Sequence, residues 1–305
     1  VLDSGDAFFK ADILPNNTRE ADILKAETIL SGYERIGYDC INVGGFDFAN
    51  GKEFLFGLQN TSKIPFISAN IVDTETAQPV FDPYVIVERQ GMKIGIVGLS
   101  DHLPAHVEGL GVDDVFSSGK RYLAEVEQKS DITIILANVD RKITKDLRKH
   151  FPSANYIFLS KTRSRTQPGN IQPEGPMIYS TGIQGKYLAK VDVSFRNGNE
   201  PILYTSPKNA ELERINRRLK NLQKRNPETP LEELYAGQPN VLNIVNEYRA
   251  KKEMIESELS DAANTSEYQL MDLSRKVESD PGLLAIVNDV LAACDELTGK
   301  TKSSG

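Results

Sequence analysis

The sequence predicts a layered α/β domain followed by an all-helical segment, and three observations carry that prediction. Up to about residue 205, short β-rich runs alternate with stretches of helical periodicity. Two of those runs are joined through Gln90-Gly91 as a hairpin. After Ser206-Pro207 strand-like alternation stops, and apolar residues recur at three-four spacing instead. The expected division is an α/β domain over 1–205, a helical appendage over 206–298 and a disordered tail over 299–305.

Residues 20–37 read as a helix, with Leu24, Ala26, Ile29, Leu30, Tyr33 and Ile36 on one face and Gly37 as the stop. Cys40 to Val43 reads as a strand, 51–60 as a short helix and 65–70 as a buried strand. The hairpin pairs 84–88 with 93–98. Helices follow over 117–129 and 140–150, and strands over 131–137, 156–159, 177–181 and 187–195. Beyond them, Leu212, Ile215, Leu219 and Leu222 form the seam of a helix over 209–225. Thr229-Pro230 opens a capping box. Further helices are expected over 240–259, over 265–278 and from Asp280, the last burying Leu284, Val287, Leu291 and Cys294. A seam this short cannot stand alone, so the helices must dock on the α/β domain or on a partner.

Composition narrows the function classes. With 36 Lys and Arg against 43 Asp and Glu, the formal charge of −7 leaves no excess of cations to displace phosphate counterions, which argues against nucleic-acid binding. No apolar run reaches the ~18–20 residues of a membrane span. The two cysteines, Cys40 and Cys294, form no Cys-x-x-Cys, so zinc-ribbon, thioredoxin-type and covalent haem sites lack their ligands. Of the three histidines, His102 and His106 flank Pro104 and read as loop residues. His150 ends a basic helix, where it suits the dipole.

Five stretches stand out in order. They are Leu2-Asp3-Ser4-Gly5-Asp6, Ile36 to Gly51 with Gly44-Gly45-Phe46-Asp47-Phe48 at its centre, and Ile64 to Ile71 ending in Ala69-Asn70-Ile71. The hairpin with Gly91-Met92-Lys93-Ile94-Gly95 follows, and then Gly185-Lys186-Tyr187-Leu188. Together they resemble the metallophosphoesterase domain of the 5'-nucleotidase family across about 195 residues. The resemblance implies a four-layer αββα metallophosphoesterase-like sandwich, with a strand upstream of Val1 that carries an Asp-x-His.

In that family a carboxylate at a strand end bridges two metal ions, because it supplies two hard oxygens on a fixed backbone. The resemblance places Asp6 there. The other ligand positions have changed: the family's Asn is Gly45, its acid His is Phe46 and its Glu is Asp47. Its Ser-His is Ala137-Asn138, and its Gly-His-Ser-His loop is Ser160-Lys161-Thr162-Arg163. Cationic side chains in place of imidazoles repel a metal cation. The expectation is therefore no catalytic residue, no metal and no cofactor, with two divalent ions as the alternative.

Lys161, Arg163 and Arg165 form a basic loop that could take an anion. The expected function is a catalytically inactive relative retained as a scaffold or binding subunit of an exported assembly, periplasmic or extracellular. Its protein partner would engage the C-terminal helices, and any redox or cytochrome partner would be a separate chain. The alternative is a metal-dependent phosphoesterase or 5'-nucleotidase with an atypical site.

Overall fold

The computed structural model describes residues 1–172, 174–196, 198, 200–224 and 226–299. The tail expected to be disordered therefore lies, from Lys300 on, outside the described residues. Two compact units emerge, one from 1–165, 173–186 and 273–305, the other from 166–172 and 187–272.

The first unit begins with β1 (Leu2–Asp3), α1 (Arg19–Ile36), β2 (Cys40–Asn42), α2 (Lys52–Thr61), β3 (Phe66–Ile67) and β4 (Ile71–Asp73). It continues through β5 (Tyr84–Arg89), β6 (Met92–Ser100), β7 (Leu110–Val112), α3 (Val115–Glu127), β8 (Ile132–Asn138), α4 (Arg141–Thr144), α5 (Leu147–His150), β9 (Tyr156–Leu159) and β10 (Met177–Ser180). β1, β2 and β3 form one parallel sheet. The second sheet has the order β10-β9-β8-β6-β5, parallel except for the β5–β6 hairpin. The turn of that hairpin places Gln90 and Gly91 at φ 54° and 79°, the doubly left-handed geometry that matches strand twist.

Period-two alternation sorts each strand's side chains into layers. Ile41 and Phe66 face Ala26, Leu30, Leu55 and Leu58 of α1 and α2. Their neighbours Cys40 and Ile67 turn the other way, to meet Ile96 and Leu136 of the second sheet. On that sheet's far face, Val97, Leu99, Ile135 and Ile157 pack against Leu123 and Val126 of α3 and Leu147 of α5. Helices, sheet, sheet, helices: these are the four layers of an αββα sandwich. The helix expected over 140–150 is two single turns, α4 and α5.

The second unit contains β11 (Tyr187–Ser194), β12 (Ile202–Tyr204), α6 (Thr205–Gln223), α7 (Leu231–Leu234), α8 (Pro239–Asp261) and β13 (Asn264–Asp272). The helix expected over 265–278 is instead the strand β13, central in a three-stranded sheet between β11 and β12. Its inward face is Asn264, Ser266 and Tyr268, all buried. Ser206 Oγ and the backbone of Tyr268 exchange hydrogen bonds at 2.6 and 3.0 Å. The strand thus closes its buried side with polar pairs, which masks its period. β11, expected with the first domain, groups here through the same pairing. At α7 the cap is Pro230 and no side-chain capping bond forms.

The chain then returns to the first unit with α9 (Pro281–Leu297), started by Asp280, whose carboxylate accepts from the Leu283 N–H at 2.7 Å. α9 packs on α1, where Cys294 is buried and its Sγ donates to the Ala21 carbonyl at 3.4 Å. Leu284, Val287 and Leu291, expected to be buried, are 46%, 45% and 51% exposed, because the face that meets α1 is the one carrying Cys294.

Candidate functional site

The C-terminal ends of β1, β2, β6, β8 and β9 converge, where α/β sheets offer their ligand crevice. The chain leaves β1 through Gly5 at φ 106° and Asp6 at φ 61°, a left-handed pair that Gly tolerates and Asp accepts at modest cost. A Cβ at Gly44 would overlap the Asp6 carboxylate, so the glycine after β2 lets the two segments touch. Asn42 Nδ2 fastens the ends of both sheets, donating to the carbonyls of Ser4 at 2.9 Å and Leu99 at 3.1 Å. Asn70 plays a similar part for β6, exchanging hydrogen bonds with the Ser100 backbone at 2.6 and 3.0 Å.

Asp6 Oδ1 accepts from the Phe46 N–H at 2.9 Å. Burial raises its pKa, and hydrogen bonds from Asn138 and Phe46 with the charges of Lys161 and His102 only partly reverse this. Asp47 is fully buried and takes the N–H groups of Gly44, Phe8 and Asp6 at 2.8, 3.0 and 3.1 Å. Burial and the Asp6 charge nevertheless hold its carboxyl well above the usual range. Its oxygens are spent on backbone, so it organises the loop rather than facing a ligand.

Gly45 and Phe46 meet His102, which lies 57 residues further along the chain than Gly45. A Cβ on Gly45 would come within 2.7 Å of both the His102 carbonyl oxygen and its Cδ2. Phe46 meets the same imidazole edge-on at 6.4 Å. His102 Nε2 in turn pairs with Asp12 Oδ1 at 2.7 Å. This histidine, read from sequence as a loop residue, belongs to the site. No motif links it to Gly45, and only its contacts reveal it. His106 Nε2 meets the Phe48 carbonyl oxygen at 3.1 Å, while His150 stacks on Phe116 at 3.9 Å.

On the other sheet, buried Asn138 donates through Nδ2 to Ser160 Oγ at 2.8 Å, and its Oδ1 has no partner among the described residues. Lys161 Nζ reaches Asp101 Oδ1 at 2.9 Å and Asp140 Oδ1 at 3.2 Å. Asp101 Oδ2 accepts from the Asp140 N–H at 2.6 Å, closing the group. Burial alone would lower the Lys161 pKa, but the two carboxylates outweigh it and raise it. The structure therefore brings Asp6, Gly45, Phe46, Asp47, Asn138 and Lys161 to one end of the sandwich. Arg163 and Arg165 are exposed on the loop after β9. Lys161 is already neutralised by the two carboxylates.

The pair of metal ions that such a fold implies can be tested against these residues. Among the described residues, no three His, Cys, Asp or Glu side chains come together as a metal-holding group. Asp6 has its Oδ1 on a backbone N–H, position 45 has no room for a side chain, and an ammonium holds Asp101 and Asp140. The residues do not fit two metals.

No family model matches the chain. Two curated relatives do match: the 5'-nucleotidase of Vibrio cholerae serotype O1 at 26% identity over 215 residues, and protein UshA of Escherichia coli K12 at 33% over 220. Each match covers 59% of this chain and 39% of the relative, so the chain spans well under half the length of these proteins. Among solved structures, the calcineurin-like phosphoesterase YfkN of Bacillus subtilis superposes with a TM-score of 0.63 at 16% identity, covering 98% of this chain and 84% of that one. Sulfate thiohydrolase SoxB of Thermus thermophilus gives 0.54 at 21% identity, over 64% and 35%. Such low identities speak for the fold, which is that of a calcineurin-like phosphoesterase. The curated relatives support an N-terminal domain similar to that of the 5'-nucleotidase metallophosphoesterases.

Proposed function

We propose that the chain is a catalytically inactive member of this family that serves as a binding or scaffold subunit. One observation carries the reading: His102 closes on Gly45, so the corner where the resemblance puts a metal ligand is filled by the protein itself. In-line attack on phosphorus needs two ions clamping the attacking and leaving oxygens, and a site without their ligands cannot assemble that clamp. Framework contacts at the same strand ends, through Asn42, Asn70 and Asp47, are intact. Such a pattern suits a domain kept for its shape.

The partner in this reading is a protein, engaged through the C-terminal helices, in the exported compartment that the resemblance implies. Among the described residues no helix is long and apolar enough to cross a membrane. Hydrolysis of p-nitrophenyl phosphate with manganese(II) is the test. The reading expects background rates, unchanged in Asp6→Asn. Turnover that disappears in Asp6→Asn would instead make the chain a working phosphoesterase with an atypical site.

A further inference from the structure

In the second unit the sheet order is β11-β13-β12, so β11 is an edge strand with a neighbour on one side only. Its pairing with β13 shows which of its backbone groups are left over. Just before β11, the Leu273 N–H donates to the Lys186 carbonyl at 2.9 Å, so in this register the even-numbered residues turn their backbone groups towards β13. On β13, Tyr268 turns its N–H and carbonyl the other way, to Ser206, which fixes the same phase. The N–H and C=O groups of Ala189, Val191 and Val193 therefore point away from the sheet, and no other strand of the described residues takes them. Such a row of unpaired groups is a template for another strand.

The side chains say which strand fits. Lys190 and Asp192 stand on the exposed face of β11, pair with each other at 2.7 Å, and are 48% and 50% exposed. Asp192 also lies directly opposite Glu267 of β13, a like-charge pairing that a further cation would relieve. We propose that β11 is the docking edge for a second copy of this chain, the two strands pairing antiparallel about a two-fold axis at Val191. Val191 then faces the partner's Val191, and Ala189 faces the partner's Val193, each pair exchanging ladder hydrogen bonds through the groups left over in the monomer. Lys190 faces the partner's Asp192, and Asp192 the partner's Lys190, at the positions between, where side chains come closest. Moving the axis by one residue sets Lys190 against the partner's Lys190, or Asp192 against the partner's Asp192. The charges thus select one register.

The test is sedimentation equilibrium of the full chain at low salt, where half-exposed ion pairs are least screened. Wild type should pass from monomer to dimer between about 1 µM and 1 mM, since a short edge gives a small interface. Lys190→Asp and Asp192→Lys each place like charges opposite one another, and each should raise the dissociation constant at least about tenfold. An equimolar mixture of the two variants should dimerise again, because each offers the charge that the other lacks. The exchanged variant Lys190→Asp/Asp192→Lys should dimerise as wild type does. Val191→Pro removes an N–H aimed at the partner and none aimed at β13, so it should be monomeric with an unchanged circular dichroism spectrum.

Wild type that stays monomeric up to about 1 mM overturns the inference. So does a dimer that Val191→Pro and both single charge changes leave untouched, since its interface then lies elsewhere. If the variants do not fold, hydrogen exchange of wild type at concentrations above and below the dissociation constant decides. The amides of Ala189, Val191 and Val193 should gain protection of at least about tenfold on dimerisation, and unchanged exchange there overturns the inference. Phosphoesterase turnover enters none of these outcomes, so the reading of the first unit as inactive stands or falls separately.

Discussion

His102 and Gly45 occupy each other's space: the imidazole Cδ2 and the carbonyl oxygen of His102 both lie 2.7 Å from where a Cβ on residue 45 would be. The carbonyl belongs to the main chain just after β6, so it cannot swing aside as a long side chain could. Gly45→Asn should therefore cost about 1–3 kcal/mol of stability by overpacking, without creating a metal site. Urea unfolding measures it. A variant as stable as wild type would mean that His102 moves away freely.

Asp47 should matter for stability more than its position beside the candidate site suggests. Its two oxygens serve three backbone N–H groups, of Gly44, Phe8 and Asp6. Asp47→Ala strands those donors inside the protein and should cost about 2–4 kcal/mol. Chemical denaturation with an unchanged midpoint would show that the donors find other acceptors.

The pH dependence has a definite sign. Burial lifts the Asp6 pKa above its ordinary 3.8, despite the donors and cations around it. A carboxyl raised in the folded state favours folding fully below the unfolded pKa, and that contribution is lost as pH rises through the folded value. Wild type should therefore lose stability relative to Asp6→Asn as pH rises above about 4 and the carboxyl ionises. A difference that stays flat across a pH series of urea titrations would contradict the burial argument.

Much of the fold was legible in the sequence, because its signals are local. Gly37 ends α1, Gln90-Gly91 turns the hairpin, and apolar runs mark β6, β8 and β9. The strand β13 was not legible: its buried positions are Asn264, Ser266 and Tyr268, held by hydroxyl and amide pairs, so no apolar alternation announces it. Nor was the exposed face of α9, since periodicity finds an apolar stripe without saying what covers it. At the site, Asp6 and the replaced positions came from motif resemblance. The ion-pairing of Lys161 with Asp101 and Asp140 and the closure of Gly45 by His102 are contacts between strand ends far apart in the chain.

Ser206 tests the β13 assignment. Its hydroxyl donates to the Tyr268 carbonyl and accepts from the Tyr268 N–H. Ser206→Ala should destabilise the second unit by about 1–3 kcal/mol and weaken hydrogen-exchange protection over 264–272. Unaltered protection there would argue against the strand.

Docking of α9 on α1 predicts an asymmetry between two kinds of change. Leu284→Gln and Leu291→Gln, on the half-exposed stripe, should each alter stability by less than about 0.5 kcal/mol. Ala21→Leu, at a position 1% exposed beneath Cys294, should cost about 1–3 kcal/mol. Thermal unfolding of the three variants distinguishes this arrangement from one in which the leucine stripe faces α1.

Metal content measures the central claim most directly. The chain, equilibrated with manganese(II) and zinc(II), passed through metal-free buffer and analysed by inductively coupled plasma mass spectrometry, should retain well below one ion per molecule. Retention of about two ions per molecule, lost in Asp6→Asn, would restore the dinuclear centre. It would contradict both the closure of Gly45 by His102 and the pairing of Lys161 with Asp101 and Asp140.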